Sequence, residues 1–265
     1  MKKVKVAFIG CGEMANYHMS ILGKIKDVEF VGMCDVDEEK AKKASSSNAG
    51  KAYTDYHKMF DDIEIDCCYI CIPPFAHTGQ EISCVERNIP FFVEKPVHLD
   101  LEKAKKIANK VKGRGLITSV GYQDRYQTII EYIRPFFSRG NLGFFSGRWV
   151  GRLTKLYWLR RKELGGGQIV AESTHIFDIA RYLLGEAMEV YAVKRLGLME
   201  DVKGYNIEDA SSVTINFQNG VFGTIFSGNF LKIQKGDTGL DFYFTDKIVE
   251  YTERQRVKVD YGDNT

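Results

Sequence analysis

Val4-Lys5-Val6-Ala7-Phe8-Ile9-Gly10-Cys11-Gly12-Glu13-Met14-Ala15 reads as a short apolar strand that breaks at glycine and continues as a helix. Gly10, Gly12 and Ala15 occupy the three small-residue positions of the G-x-G-x-x-[G/A] pattern of a dinucleotide-binding turn. Gly10 permits the tight turn, Gly12 lets the backbone approach a pyrophosphate, and Ala15 lets the helix pack on its strand. Glu13 and Met14 lie at the helix start, whose backbone amides face the negative phosphates. A second strand, Phe30-Val31-Gly32-Met33-Cys34, ends in Asp35, where an acidic side chain meets the ribose hydroxyls of NAD. Asp35 would repel a 2′-phosphate and Val36 offers no positive partner, so NAD is expected over NADP.

The 265 residues are enough for one large domain or two ordinary ones, and 44% hydrophobic content can fill a sizeable core. A formal charge of +2 is close to neutral and points to neither nucleic acid nor a membrane surface. No apolar run is long enough to span a membrane, and the stretch after the N-terminal lysines is too short for a signal peptide. All six cysteines fall in the first third, on strands, turns or helices, as in a reduced cytoplasmic protein rather than a disulfide scaffold. Cys68-Tyr69-Ile70-Cys71 is formally C-x-x-C, but it sits inside the apolar run Cys67 to Ile72 and reads as buried strand thiols, with no metal site expected.

The first 121 residues alternate strand and helix, which implies a doubly wound parallel sheet. Helices are expected over Glu38 to Ala49, Ala76 to Asn88 and Leu101 to Lys112, the last closed by Gly113. Strands are expected over Asp66 to Ile72, Pro90 to Val93 and Leu116 to Val120. From residue 122 to 265 the pattern changes to an α+β domain. A helix from Tyr126 to Ser138, kinked at Pro135, precedes a strand from Leu142 to Gly151. A helix from about Glu172 to Leu184 then leads into strands over Glu189 to Leu196, Ala210 to Phe217, Val221 to Phe230, Leu240 to Phe244 and Ile248 to Tyr251. Asn219-Gly220 and Thr245-Asp246 read as hairpin turns, so this second sheet is expected to be large and mainly antiparallel.

Two residues carry the candidate chemistry. Lys95 stands at the carboxyl end of a parallel strand, where open α/β sheets place their ligands, and Pro96 restricts its backbone. A lysine aimed into a cleft can exchange a proton, whereas one at a solvated strand end does nothing chemical. His175 lies on a helix with Glu172 three residues before and Asp178 three after, so the three can share one face.

The chain resembles the Gfo/Idh/MocA family of NAD(P)-dependent oxidoreductases, which includes inositol and sugar dehydrogenases. The resemblance rests on the fingerprint, Cys71-Ile72-Pro73-Pro74-Phe75-Ala76-His77, Glu94-Lys95-Pro96, Gly121-Tyr122-Gln123-Asp124-Arg125-Tyr126, and Gly165-Gly166-Gly167 through His175-Ile176-Phe177-Asp178. It implies that Lys95 is the catalytic lysine, touching the reacting hydroxyl and the nicotinamide ribose, and that His175 is the acid–base residue on the substrate side. Tyr122 and Arg125 would line the junction of cofactor and substrate, with Glu172 and Asp178 among the substrate contacts. Pro73, Pro74 and His77 would border the cofactor cleft, His77 as a residue of the helix start, and Glu94 would hold the cofactor end.

The expected reaction passes a hydride from a secondary alcohol of a sugar, cyclitol or related polyol to NAD. A retained-NAD lyase or glycosidase and a non-catalytic NAD-binding regulator are the alternatives. Two features depart from the family pattern. Ala171 stands four residues before His175, where many members carry an acid, and Glu172 follows it one helical position, about 100°, away. The chain also ends at Asp263-Asn264-Thr265 without the family's further helical segments, which implies a naturally short or truncated domain. Tyr157, Trp158, Arg160 and Arg161 precede the glycine run; the arginines suit a ligand carboxylate or phosphate, or are solvated or interface residues. The late strands leave a sheet face to cover, and the resemblance implies a homodimer or homotetramer.

Overall fold

The computed structural model describes residues 3–262, so Asp263, Asn264 and Thr265 lie outside the described residues. The chain divides into two compact units, Met1–Gly121 and Tyr122–Thr265.

The first unit contains β1 (Val4–Ile9), α1 (Glu13–Leu22), β2 (Val28–Cys34), α2 (Glu38–Asn48), β3 (Lys51–Tyr53), α3 (Tyr56–Asp62), β4 (Cys67–Ile70), α4 (Gln80–Glu86), β5 (Phe91–Val93), α5 (Leu101–Arg114) and β6 (Thr118–Val120). Among the described residues the strands form a six-stranded sheet in the order β3-β2-β1-β4-β5-β6. Every neighbouring pair is parallel. The order reverses between β1 and β4, which places a ligand crevice beyond their carboxyl ends. On one face Phe8, Tyr69 and Phe92 stack across β1, β4 and β5 at centroid distances of 5.1 and 4.9 Å. The other face buries Ala7, Ile9, Cys68, Ile70 and Val93 against Met59, Cys84 and Ile107 of the helices.

Side chains set several helix ends. Asp37 and Asp100 accept hydrogen bonds from the first amides of α2 and α5. The expected stop at Gly113 is corrected: α5 runs on to Arg114 and closes on Gly115, whose φ of 62° suits a left-handed cap. The helix expected from Ala76 is replaced by a 3₁₀ turn at Pro74–Ala76, and α4 begins at Gln80.

The second unit holds α6 (Thr128–Ile133), β7 (Leu142–Arg152), α7 (Lys162–Gly165), α8 (Thr174–Leu184), β8 (Ala187–Arg195), β9 (Ala210–Phe217), β10 (Phe222–Leu231), β11 (Asp237–Phe244), β12 (Ile248–Thr252) and β13 (Arg256–Asp260). Its seven strands, counted among the described residues, lie in the order β13-β12-β11-β7-β10-β9-β8. The pairs are antiparallel except β7 with β10, which run parallel. Alternation along β9, β10 and β11 sends Val213, Ile215, Ile225, Leu240 and Phe242 to one face, where Ile176, Ile179 and Leu183 of α8 and Ile130 and Ile133 of α6 cover them. The helix expected from Tyr126 to Ser138 is broken into a 3₁₀ turn at Gln123–Tyr126, α6, and a second 3₁₀ turn at Arg134–Arg139 containing Pro135. The residues before α8 also differ from expectation: Ile169–Ser173 forms a π turn.

All six cysteines are free, and five of them are buried. Burial, reinforced by the Asp35 carboxylate, pushes both the Cys11 and Cys34 thiols up to about 12. A thiol at that value is thiolate at about one part in ten thousand at pH 8, so the native chain should react with a thiol reagent far more slowly than the unfolded chain. Timed labelling at pH 8 is expected to leave Cys11, Cys34, Cys68, Cys71 and Cys84 unmodified until denaturant is added, with half-buried Cys67 the first to react.

Candidate functional site

The first unit's candidate residues gather where β1 leaves its sheet. Gly10 has a φ of +90°, and a Cβ there would stand 2.3 Å from the Cys71 carbonyl oxygen. The chain passes between the ends of β2 and β4: Gly10 N–H donates to Cys34 O at 2.7 Å, and Cys71 N–H donates to Ile9 O at 2.8 Å. Gly12 is different. Its φ of −79° is open to any residue, and no described atom lies within 4 Å of a Cβ built on it. Internal packing therefore does not require glycine at position 12; a Cβ there would face only open space on the side a ligand would approach from. Gly12 caps α1 with no side-chain acceptor, so the first-turn amides at Glu13 and Met14 remain available to an anion. Ala15 is fully buried against the sheet, while Met14 is exposed.

Asp35 lies at the carboxyl end of β2, and its two oxygens accept from Cys11 N–H at 2.8 Å and Asp37 N–H at 2.9 Å. It therefore braces the glycine turn from the end of β2. Asp37, Glu38 and Glu39 follow it, and Lys40 and Lys42 pair with these acids. The local field is hostile to a 2′-phosphate. These features together form a cradle that fits a dinucleotide lacking that phosphate.

Glu94 and Lys95 follow β5 directly. Glu94 is 8% exposed and fixed on several sides. Its carboxylate takes a hydrogen bond with His18 Nε2 at 2.8 Å and accepts the Lys95 amide at 3.2 Å. A Cβ on Gly121 would stand 2.8 Å from it, so that glycine makes room for the carboxylate. His18, which lies in none of the motifs, thereby ties α1 to the Glu94-Lys95-Pro96 segment. Lys95 is half-buried beyond the strand end, and its peptide bond to Pro96 is cis. Pro73 caps the 3₁₀ turn after β4, beside buried Pro74. The side chains of His77 and Glu81 are each 1% exposed and bonded to one another, a placement that suits the start of α4.

The second unit gathers its own candidates. His175 is 6% exposed on α8, between two aromatic rings. Trp149 of β7 stacks on it at 6.1 Å and 18°, and Tyr122 meets it edge-on at 6.1 Å. The Tyr122 hydroxyl and Thr174 Oγ1 are 3.1 Å apart. Arg125 and Asp178 form a two-point ion pair, with Arg125 Nε donating to Asp178 Oδ2 at 2.7 Å. Glu172 accepts a hydrogen bond from Asn229 of β10. Its place follows from the π turn, in which a spacing of five replaces four and the regular 100° step no longer holds. Ala171 is buried at 3% in the same turn.

Arg160 and Arg161 bond within their own segment. Arg160 Nε donates to Thr154 O at 2.7 Å, and Arg161 Nε donates to Glu163 Oε1 at 2.6 Å. Trp149, Asn229 and His18 were not legible as site residues, because each meets its partner across a long sequence interval.

Residues 4–122 match the profile described as "Oxidoreductase family, NAD-binding Rossmann fold", and residues 139–250 match the "GFO/IDH/MocA C-terminal domain". The chain belongs to the Gfo/Idh/MocA family. It is an NAD-binding oxidoreductase, and its first unit is the family's Rossmann fold. It is similar to the myo-inositol 2-dehydrogenase of Thermotoga maritima, at 25% identity over 231 residues covering 84% of this chain and 67% of that one. The D-glucoside 3-dehydrogenase of Escherichia coli is 25% identical over 238 residues, 82% of this chain and 68% of the relative. Among solved structures, the WlbA dehydrogenase of Bordetella pertussis in complex with NADH and UDP-GlcNAcA has a TM-score of 0.89 at 17% identity. That likeness covers 100% of this chain and 79% of the other, and it shows the shared Gfo/Idh/MocA fold.

The two glycines of this Gfo/Idh/MocA fingerprint should separate on mutation. Gly10→Ala is expected to lower unfolding stability by about 1–3 kcal/mol, because backbone stands where its methyl would go. Gly12→Ala is expected to keep stability within about 0.5 kcal/mol while weakening NAD by about tenfold or more. Thermal melts and NAD titration on both variants check this.

Proposed function

We propose that the chain is an NAD-dependent dehydrogenase of a secondary alcohol on a neutral, hydroxyl-rich substrate: a sugar, a cyclitol or a related polyol. The observation that carries the substrate class is the pairing of charges around His175. Arg125 is held by Asp178 on the helix of His175, and Arg254, whose guanidinium stands over the Trp149 ring, is held by Asp124. Glu172 with Asn229 adds a further carboxylate and amide. Hydroxyl groups suit such a lining; a second negative charge would meet Glu172 with these cations already engaged. The names of the inositol and glucoside relatives agree with this class.

NAD supplies the hydride chemistry when bound. Gly12 and the start of α1 would take the pyrophosphate and Asp35 a ribose, while Glu94 keeps the Lys95 backbone in place. Lys95 and His175 would handle the proton of the substrate hydroxyl, each as a donor–acceptor that needs no metal. Tyr122 and Trp149 would hold the His175 ring, and Pro73 and His77 would shape the cofactor side. Ala171 removes the usual acid four residues before the histidine, and Glu172, oriented by Asn229, is the carboxylate this segment offers instead.

The uncovered face of the second sheet supports self-association. Phe222, Phe144 and Tyr243 line up across β10, β7 and β11 at 6.2 and 4.6 Å, and Phe144 and Phe222 are 44% and 51% exposed. A dimer or tetramer would cover that row.

Two measurements test the proposal. NADH formation should follow from one or more members of a panel of cyclitols and aldoses, with sugar acids and sugar phosphates at least about tenfold poorer in kcat/KM. Lys95→Met should remove turnover while leaving NAD affinity within about twofold. Light scattering should give a mass above that of one chain. NAD binding without reduction by any panel member would favour the retained-cofactor or regulatory alternatives.

A further inference from the structure

The turn between β12 and β13 places two consecutive non-glycine residues, Glu253 and Arg254, at φ values of 52° and 56°. A left-handed conformation is unfavourable for such residues, and it persists where surrounding contacts hold it. Here Glu253 N–H donates to Thr238 O at 2.7 Å and its carboxylate accepts from Arg256, while the long-range side-chain contacts are those of Arg254. Its Nε and Nη2 donate to the two oxygens of Asp124 at 2.7 and 2.5 Å. Asp124 is 1% exposed, and the Tyr251 hydroxyl lies 3.4 Å from the same carboxylate. The Arg254 guanidinium also stands over the Trp149 ring, 5.3 Å from its centroid.

These contacts converge on the surroundings of one side chain. Asp124 shares its short 3₁₀ turn with Arg125 and follows Tyr122 closely. Tyr122 is the edge-on neighbour of His175, and Trp149 is its stacked neighbour. We propose that Arg254 is a positioning residue for His175: it fixes the Tyr122 wall through Asp124 and the Trp149 wall through its own guanidinium. It acts at second hand, through those rings. The charged and titratable groups on the elements around His175 include Glu172 and Asp178 beside it in sequence, Arg181 and Tyr182 further along α8, Tyr122, Asp124 and Arg125 at the 3₁₀ turn, Tyr251 of β12, Tyr205 near Glu172, and Arg254 over Trp149. Arg148, next to Trp149 on β7, pairs with Asp237 and Asp241.

The consequence for turnover rests on the dehydrogenase reading, whereas the contact can be tested without substrate or cofactor. The protein has two tryptophans, so a Trp158→Phe background leaves Trp149 as the sole indole. Protonation of an imidazole stacked on an indole quenches its emission. A pH titration of Trp149 fluorescence should therefore show a step that His175→Gln removes. Arg254→Gln should cut the amplitude of that step by at least about half, and Arg254→Lys, which keeps the cation but loses the two-point grip on Asp124, should fall between. Turnover by Arg254→Gln should drop about tenfold in kcat with KM for NAD unchanged. A purely structural arginine would lower the melting temperature and leave the step in the folded variants intact. An unchanged amplitude in Arg254→Gln, or a step indifferent to His175→Gln, overturns the proposal. If Arg254→Gln does not fold, an amplitude in Arg254→Lys equal to that of the background overturns it in the same way.

Discussion

β1 leaves its sheet through a gap with no room for a side chain. At Gly10 the carbonyl of Cys71 on one side and the backbone of Cys34 on the other hold the chain so closely that only hydrogen fits at the Cα. The geometry of the whole cofactor crevice depends on this constraint. The turn must be tight, α1 must start directly above the sheet, and its free amides must face the crevice between the ends of β1 and β4. Asp35 locks the arrangement by accepting the Cys11 amide, so the acid at the end of β2 is a strut of the turn. His18 extends the same logic to Glu94, joining the first helix to the strand end that carries Lys95.

The parts of the fold that were legible are those whose cause is local. The glycine turn, the parallel alternation, the Asp100 cap and the Asn219-Gly220 turn are each written within a few residues. β3 and α3 carry only weak signals: β3 has three residues at a sheet edge, and α3, although Asp55 caps it, has seven residues with Met59 and Phe60 as its buried pair. Neither is long enough to show a period. Gly113 reads as a helix stop because glycine is common there; the left-handed cap falls two residues later. β13 lacks a signal for a different reason. Its turn is made by Glu253 and Arg254, residues that rarely take a left-handed backbone, so no glycine or asparagine announces it.

The candidate site was half legible for a related reason. Lys95, His175, Tyr122, Arg125 and Asp178 lie in motifs, but the side chains that hold the site do not. Trp149 and Asn229 come from strands whose alternation reads as ordinary sheet. His18 sits next to the buried stripe Ala15 and Met19 of α1, where a polar ring on an otherwise packed face was an available clue. The π turn was the least accessible of all. It is a choice of hydrogen-bond partner, five residues away rather than four, and composition does not encode that choice. It matters because the phase of Glu172 depends on it.

Glu94 stands just past a strand end, Asp124 in a short 3₁₀ turn and Glu172 in a π turn, positions with few backbone neighbours of their own, while Asp178 projects from α8. They are held instead by partners far along the chain: Glu94 by His18, Asp178 by Arg125, Glu172 by Asn229, Asp124 by Arg254. A rigid side chain at a loop needs such support, since the loop backbone fixes only the Cα. The Ala171 departure belongs in this context. An acid four residues before the histidine would enter a space that is now closed, as Ala171 is 3% exposed. The π turn brings the next residue to Asn229 instead, so the carboxylate of this segment has moved to a different support. Restoring an acid at position 171 would bury a charge within that packing, while removing Asn229 would take away the amide that orients Glu172. The placement of the carboxylate in this segment is therefore set by Glu172 and Asn229 together, which the motif pattern alone does not describe.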